Sequence, residues 1–357
     1  MRVRLEDVCE KESSKLKQSD VIDQNGLYPV YGASGYLGNI NTYQQSNYYI
    51  AVVKDGAGIG RTMLLPPESS IIGTMQYLIP KDNVLPEYLY YVVKAKHLEK
   101  YFSGATIPHI YFKDYKNEQF DLVSFEEQRE IINKLKKIEI IIDNLSKNLL
   151  LLDELVKARF VEMFGDPEDN PFEWDKMPLS NIMLNANNGM ARRGNDENGN
   201  IVLRLVELQD GYIDYSNPNR ICLNENEKKR YLLKNNDFLF ARVNGNPDNV
   251  GRCAVFHDIG EDVYHNDHII RVHFNEELLN GVFASELINS NFGKRQLKKR
   301  IKTSAGQYTV SQDGIGAIVS IVPPLELQNQ FASFVEEIDK SRLLSNHSLL
   351  LLKSIIF

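Results

Sequence analysis

The glycines, histidines, cysteines and acid pairs are where chemistry could reside in this chain, and none of them assembles a catalytic set. Gly56-Ala-Gly58-Ile-Gly60 invites comparison with a nucleotide loop. Its spacing is G-x-G-x-G and not G-x-G-x-x-G, and β-prone residues flank it on both sides, so it reads as a tight hairpin turn whose glycines supply positive φ. Gly293-Lys294 is followed by arginine and has no glycine five places before it, so it is no P-loop, and ATP hydrolysis is not expected. His265-Asn-Asp-His268 lacks a third ligand at sensible spacing and predicts a polar turn between strands. Cys9, Cys222 and Cys253 are scattered and odd in number, which reads as reduced thiols. No G-x-S-x-G elbow occurs, Asn217-Pro-Asn lacks the rest of an amino-methyltransferase motif, and neither Asp248 nor Glu173-Trp-Asp-Lys176 builds a nuclease site. The expectation is a chain that binds, with no catalytic residues, metal or cofactor of its own.

The polar residues left over suit a nucleic-acid reader. Tyr31, Lys54, Arg61 and Lys113 in the first part of the chain, and Arg192, Arg193, Arg204, Arg242, Asn244 and Arg252 in the second, fall in or near loops. Arginine can bridge guanine, and amides can read adenine. Lys294, Arg295, Lys298, Lys299, Arg300 and Lys302 form a basic run free of acids that could meet phosphates, although a solvated helix face gives the same pattern. The net charge of −7 does not itself advertise DNA binding, since net charge speaks to solubility and steering while a local patch makes contacts.

These residues are carried by a chain that repeats itself. Ser124-Phe-Glu-Glu-Gln128 runs on to Leu149-Leu-Leu-Leu152, and Pro324-Leu-Glu-Leu-Gln328 runs on to Leu349-Leu-Leu-Leu352. Ile131, Leu135, Ile138, Ile142, Leu145, Leu149, Leu152 and Val156 follow 4-3-4-3 spacing, the a/d seam of a coiled coil. Phe331, Val335, Ile338, Arg342, Ser345, Leu349, Leu352 and Ile356 keep the same register, with Arg342 and Ser345 breaking the seam at its middle. Two amphipathic helices on separate cores would show such patterns too, but the shared length and phase favour pairing with each other. Ser124 offers an N-cap followed by first-turn acids, and Gly165 and Pro167 end the first helix. Phe357 falls level with Lys157, so the second helix is the shorter.

The segments ahead of the helices also align. Leu5 corresponds to Leu179, and Gly60-Arg61 to Gly251-Arg252, with insertions in the second segment. Short β-prone runs (48–53, 201–206, 237–242, 253–257, 269–274) are followed by helical stretches near 86–100 and 276–302. The expected order is a module over 1–122, a helix over 123–166, a module over 167–322 and a helix over 323–357, an α+β chain throughout. The N-terminus has no apolar signal-peptide core and the leucine runs are interrupted by charge, so a cytoplasmic protein without membrane spans is expected.

In this order of parts the chain resembles the specificity subunit of type I restriction–modification systems. The resemblance is carried by Pro323-Pro-Leu-Glu-Leu-Gln328 and Ser124-Phe-Glu-Glu-Gln128, by Tyr28-Pro-Val-Tyr-Gly-Ala-Ser-Gly35, by Gly60-Arg61 and Asn244-Gly245 with Gly251-Arg252, and by Thr303-Ser-Ala-Gly-Gln-Tyr-Thr-Val-Ser-Gln312. It implies two α/β target-recognition domains separated by two long helices that form an antiparallel coiled coil with pseudo-twofold symmetry. Each domain would read one half of a split, asymmetric sequence in double-stranded DNA. The partners implied are two methyltransferase subunits and the restriction–translocase subunits, which would use S-adenosylmethionine, ATP and magnesium. A helix of about 30–35 residues spans roughly 45–52 Å, so spacer length in the DNA would follow helix length. The rivals are a fused restriction or methylation enzyme with an unrecognised active site, and a coiled-coil scaffold without DNA contact.

Overall fold

The structure is a computed structural model of the 357-residue chain and describes every residue except 23, 105–107, 305 and 357, as well as the side chains of 304 and 356. Two compact units divide it: Met1–Lys147 with Ser345–Phe357, and Asn148–Leu344. Each is built from one and the same strand plan.

In the first unit an antiparallel sheet runs in the order Cys9–Ser13, Met75–Pro80, Tyr49–Val53, Thr62–Leu65. In the second, the order is Met183–Asn188, Ile269–Phe274, Phe238–Ala241, Cys253–Val255, again antiparallel. A smaller sheet accompanies each: Gly35–Ile40, Tyr28–Gly32 and Ser70–Ile71 in one; Arg220–Ile221, Asn200–Leu203 and Val263–His265 in the other. In both, the last pairing is the parallel one. A strand at the start of each module pairs with one just ahead of its long helix, Arg2–Arg4 with Gln119–Asp121 and Lys176–Pro178 with Val319–Ile321. The sheet centres are apolar on both faces: all of Tyr49–Val53 and Phe238–Ala241 is buried, which is why these runs lack polar alternation.

The expected strands appear, Ile269–Phe274 at full length and the others shorter, with the second running Asn200–Leu203. The two helical stretches are each broken: Pro86–Lys94 stops before a 3₁₀ turn at Leu98–Tyr101, and Gly281–Asn289 gives way to Asn291–Lys298. The second break falls at Ser290, whose extended backbone (φ −64°, ψ 167°) ends one helix while its hydroxyl caps the next by accepting from Gly293 N–H.

The long helices run Phe125–Phe164 and Leu325–Ile356. Ser124 and Glu127 close the start of the first as a capping box, the hydroxyl accepting from Glu127 N–H at 3.3 Å while the carboxylate accepts from Ser124 N–H at 3.0 Å. The seam is visible in burial. Ile131, Leu135, Ile138, Ile142, Leu145, Leu149 and Leu152 are half-buried and Val156 is buried, while most residues between them are exposed. Phe331 is buried, and Val335, Ile338, Arg342, Ser345, Leu349 and Leu352 are half-buried in the same register.

Within the second unit the helices cross antiparallel. Phe160 and Phe164 meet Phe331 edge to face at 5.5 and 5.6 Å, Arg159 lies over Phe334, and Arg342 reaches back to Asp153 at 2.7 Å. Arg342 thus occupies its seam position by pairing with an acid of the facing helix. Both seams also serve their modules, for Ile131 and Leu135 pack on the first core and Phe331, Val335 and Ile338 on the second. The side chain of Ile356 lies outside the described residues.

Candidate nucleic-acid interface

The turn that leaves each central strand gathers polar side chains. Val53 N–H donates to Arg61 C=O and Gly60 N–H to Val53 C=O, both at 2.9 Å; Ala241 N–H donates to Arg252 C=O and Gly251 N–H to Ala241 C=O, both at 2.8 Å. Gly60 and Gly251 share a positive φ of 81° and 80°, the left-handed conformation that the turn demands. One residue on, Lys54 C=O accepts from Ile110 N–H and Arg242 C=O from Val310 N–H, each at 2.9 Å. Lys54 and Arg242 are therefore equivalent positions. The alignment of Gly60-Arg61 with Gly251-Arg252 holds in three dimensions.

Around Lys54 the first unit assembles Asp55, His109, Tyr111 and Lys113. Lys54 Nζ donates to Asp55, and His109 Nδ1 lies 2.6 Å from Asp55 Oδ1. Burial pushes the Asp55 carboxyl up, but the bonds from Lys54 and His109 outweigh it and hold the group below its ordinary value. The His109 ring stacks beside exposed Tyr111 at 6.4 Å, and Lys113 Nζ sits 5.2 Å above Tyr111. Arg61 donates to Ala33 C=O at 2.7 Å, and Tyr31 meets Tyr36 edge to face.

Around Arg242 the second unit assembles Arg193, Asn244, Asp267, His268, Tyr308 and Gln312. Arg242 Nη1 donates to Asp267 C=O at 3.0 Å, and its backbone N–H to His268 C=O at 2.7 Å. Arg193 Nη2 contacts Asp267 Oδ1 at 2.6 Å and His268 Nε2 at 3.1 Å. Asn244 pairs in a strand with Tyr308, and Gln312 donates to exposed Asn188 at 3.2 Å. Burial, reinforced by Arg193 and Arg242 against the opposing effect of Asp267, holds His268 below the ordinary histidine value.

The remaining basic residues stand apart from these two clusters, most of them paired. Arg192 forks onto Glu227 at 2.8 and 3.1 Å, Arg204 is bound to buried Glu207, and Arg252 and Lys294 share Asp210 at 3.0 and 3.1 Å. Arg295 pairs with Glu168 and Lys298 with Asp248 at 2.9 Å. Arg300 is spent on structure, donating to Gln296 C=O and Ala317 C=O. Lys299 is exposed, with no ion pair among the described residues. The exposed pairs among these are weak enough to be exchanged for phosphates.

The family model for the type I restriction modification DNA specificity domain matches residues 1–151. Over 295 residues the chain is 26% identical to the StySPI specificity subunit of Salmonella potsdam, and over 297 residues 22% identical to the EcoKI specificity subunit of Escherichia coli K12; each match takes in 77% of this chain and 63% of the relative. The chain is thus similar to type I specificity subunits over most of its length. It spans less than two thirds of the length of these two relatives. The fold is shared with a solved S subunit: that from M. genitalium superposes with a TM-score of 0.60 at 16% identity, covering 100% of this chain and 93% of that one. A chain solved for the structural basis of complex assembly and conformational transition of the type I R-M system gives 0.59 at 13%, covering 100% and 95%.

The two clusters are the polar centres of the chain's two modules. His109, Tyr111 and Asn188 escaped the sequence reading, while His268, Asp267, Tyr308 and Gln312 fall in stretches it quotes without counting them as site residues. His265-Asn-Asp-His268 was legible as a turn, but the contact that gives His268 a role comes from Arg193, far off in the chain. His265 itself is fully buried at a strand end, with Nδ1 3.2 Å from Tyr231 C=O.

Proposed function

We propose that this chain is the DNA-recognition subunit of a type I restriction–modification complex, reading a bipartite, asymmetric target and directing partner methyltransferase and restriction subunits to it. The observation that carries this is the repeated module whose backbone is constant and whose side chains are not. Lys54 and Arg242 hold the same place and the same backbone bond, yet one is ringed by Asp55, His109 and Tyr111 and the other by Arg193, Asp267 and His268. One scaffold with two different polar heads suits a target whose halves differ.

Base edges would be read at these heads, with arginines and lysines around them meeting phosphates. The domain limits proposed are 1–122 and 167–322 for the reading modules, and 123–166 and 323–357 for the helices between and after them. The helices keep a second apolar surface besides the seam. Leu150, Leu151, Leu155 and Val161 are exposed in the second unit, and Ile140, Ile141, Leu350, Leu351 and Ile355 in the first. Uncovered apolar surface on this scale marks a docking site, and the methyltransferase subunits are its proposed occupants. Chemistry would belong to the partners, with their S-adenosylmethionine, ATP and magnesium. Among the described residues no helix is long and apolar enough to cross a membrane.

Footprinting of the chain with its methyltransferase partner tests the reading: protection in two blocks separated by an unprotected spacer is expected, and one continuous block, or none, overturns it. Incubation of the chain alone with DNA, S-adenosylmethionine and magnesium should give no turnover. Turnover would favour an enzyme in its own right.

A further inference from the structure

The two clusters hold their histidines by opposite ends. His109 Nδ1 faces Asp55 Oδ1 at 2.6 Å, and an ionised carboxylate only accepts, so Nδ1 must carry the proton. Nε2 is the nitrogen left over, with no hydrogen-bond partner among the described residues. His268 is held the other way round. Its Nε2 lies 3.1 Å from Arg193 Nη2, and a guanidinium only donates, so Nε2 must accept and Nδ1 again carries the proton. Here Nδ1–H is the nitrogen left over. One tautomer thus offers a lone pair in the first unit and a proton in the second.

The anchors are strong enough to hold these choices. Asp55 is itself fixed by Lys54. Arg193 Nη1 reaches the carbonyls of Met190 and Ala191 at 3.4 and 2.9 Å, and Nη2 reaches Asp267 and His268, so four of its five N–H groups are committed. A guanidinium with one N–H free cannot grip guanine bidentately. Arg193 is better understood as the positioning residue of His268 than as a reader.

We propose that His109 and His268 are specificity-determining residues that read base edges with opposite polarity, His109 accepting from an exocyclic amine and His268 donating to a purine N7 or a carbonyl oxygen. The inference rests on the DNA-recognition reading above. In the major groove the amine class comprises adenine N6 and cytosine N4, and the acceptor class comprises guanine O6 and N7, adenine N7 and thymine O4. The side chains beside each histidine fit this division. The Asp55 carboxylate adds a second acceptor next to His109, and the Arg242 guanidinium adds donors next to His268.

Two measurements decide it. Long-range nitrogen–proton correlation spectra of the wild-type chain report each tautomer without a substitution; Nδ1–H is expected for both rings, and Nε2–H at either site overturns the assignment there. In Arg193→Gln, His268 should lose its fixed tautomer while His109 keeps its own; a His268 ring that stays Nδ1–H shows that Arg193 does not set it. The methylated motif of cells carrying the chain with its partners is then compared with those of His109→Leu and His268→Leu. Each variant should become degenerate at one position of one half-site, losing roughly ten-fold in discrimination there, with the other half and the spacing unchanged. His268→Asn, which keeps an amide donor near Nδ1, should retain the preference and guards against loss through misfolding. An unaltered motif in both leucine variants overturns the proposal while leaving the DNA-recognition reading intact. Absence of any bipartite motif in wild type overturns the reading itself.

Discussion

Gln128 and Gln328 make the same stitch in the two modules. Gln128 Oε1 accepts from Leu85 N–H at 2.8 Å, and its amide donates to Val123 C=O at 3.0 Å. Gln328 Oε1 accepts from Asn280 N–H at 2.9 Å, and its amide donates to Pro323 C=O at 2.7 Å and to Leu278 C=O at 3.0 Å. Both side chains are buried, and Leu85 and Asn280 are the N-caps of the short module helices. Each glutamine thus ties a long helix to the helix and the strand exit of its own module.

Replacing Gln128 by leucine keeps the volume but strands a backbone donor and a backbone acceptor in the interior, each costing about 1–3 kcal/mol. Gln128→Leu is expected to lower stability by roughly 2–6 kcal/mol, and Gln328→Leu, which strands one donor and two acceptors, by at least as much, read as a shift in the urea unfolding midpoint. A change below about 0.5 kcal/mol, typical of surface positions, would show that the stitch is idle.

The turn glycines should differ in cost. At Gly56 (φ +92°) an added methyl meets nothing within 4 Å, so Gly56→Ala carries only left-handed strain, about 1–2 kcal/mol. At Gly251 it meets the Leu297 side chain at 2.6 Å, and at Gly60 it meets the backbone nitrogen of Glu99 at 2.5 Å. A side chain can move aside and a backbone cannot, so unfolding measurements should rank the losses Gly60, then Gly251, then Gly56.

Acid should weaken the second unit through His265. Burial pulls this imidazole down to about 4 from 6.5, with the bond to Tyr231 C=O opposing. The unfolded chain therefore binds a proton that the folded chain refuses, and stability falls as pH drops from about 6.5 towards 4. The accumulated loss is on the order of 3 kcal/mol. In His265→Gln that segment of the stability–pH curve should flatten; an unchanged slope assigns the effect to another group.

Phosphate contact by the basic run is best tested with Lys298 and Lys299, since Arg300 holds Gln296 and Ala317 together. Replacing both lysines by alanine should reduce the slope of log affinity against log salt by about 1–2 if both meet the backbone. A wild-type slope would show that this face points away from DNA.

Much of this molecule was legible in its sequence because it depends on local periodicity. The 4-3-4-3 run from Ile131 to Val156 set which helix face is covered, since burial in a helix follows 3.5- to 3.6-residue spacing whatever lies opposite. Gly60-Arg61 and Gly251-Arg252 announced matching turns because only a glycine takes that φ without strain. The repeated Glu-x-Gln was visible as well, though its meaning was not: the backbone groups that Gln128 and Gln328 satisfy at Leu85 and Asn280 lie 43 and 48 residues away.

What only the tertiary structure decided is which polar groups are free. Arg192, Arg193, Arg204 and Arg252 look alike in sequence, yet the fold commits them to Glu227, Asp267, Glu207 and Asp210. The sequence alone determined two similar modules, their helices and the register of the seam, because these follow from spacing along the chain. The orientation of His109 and His268 came from long-range partners, because hydrogen-bond donors and acceptors are assigned by contact and not by order.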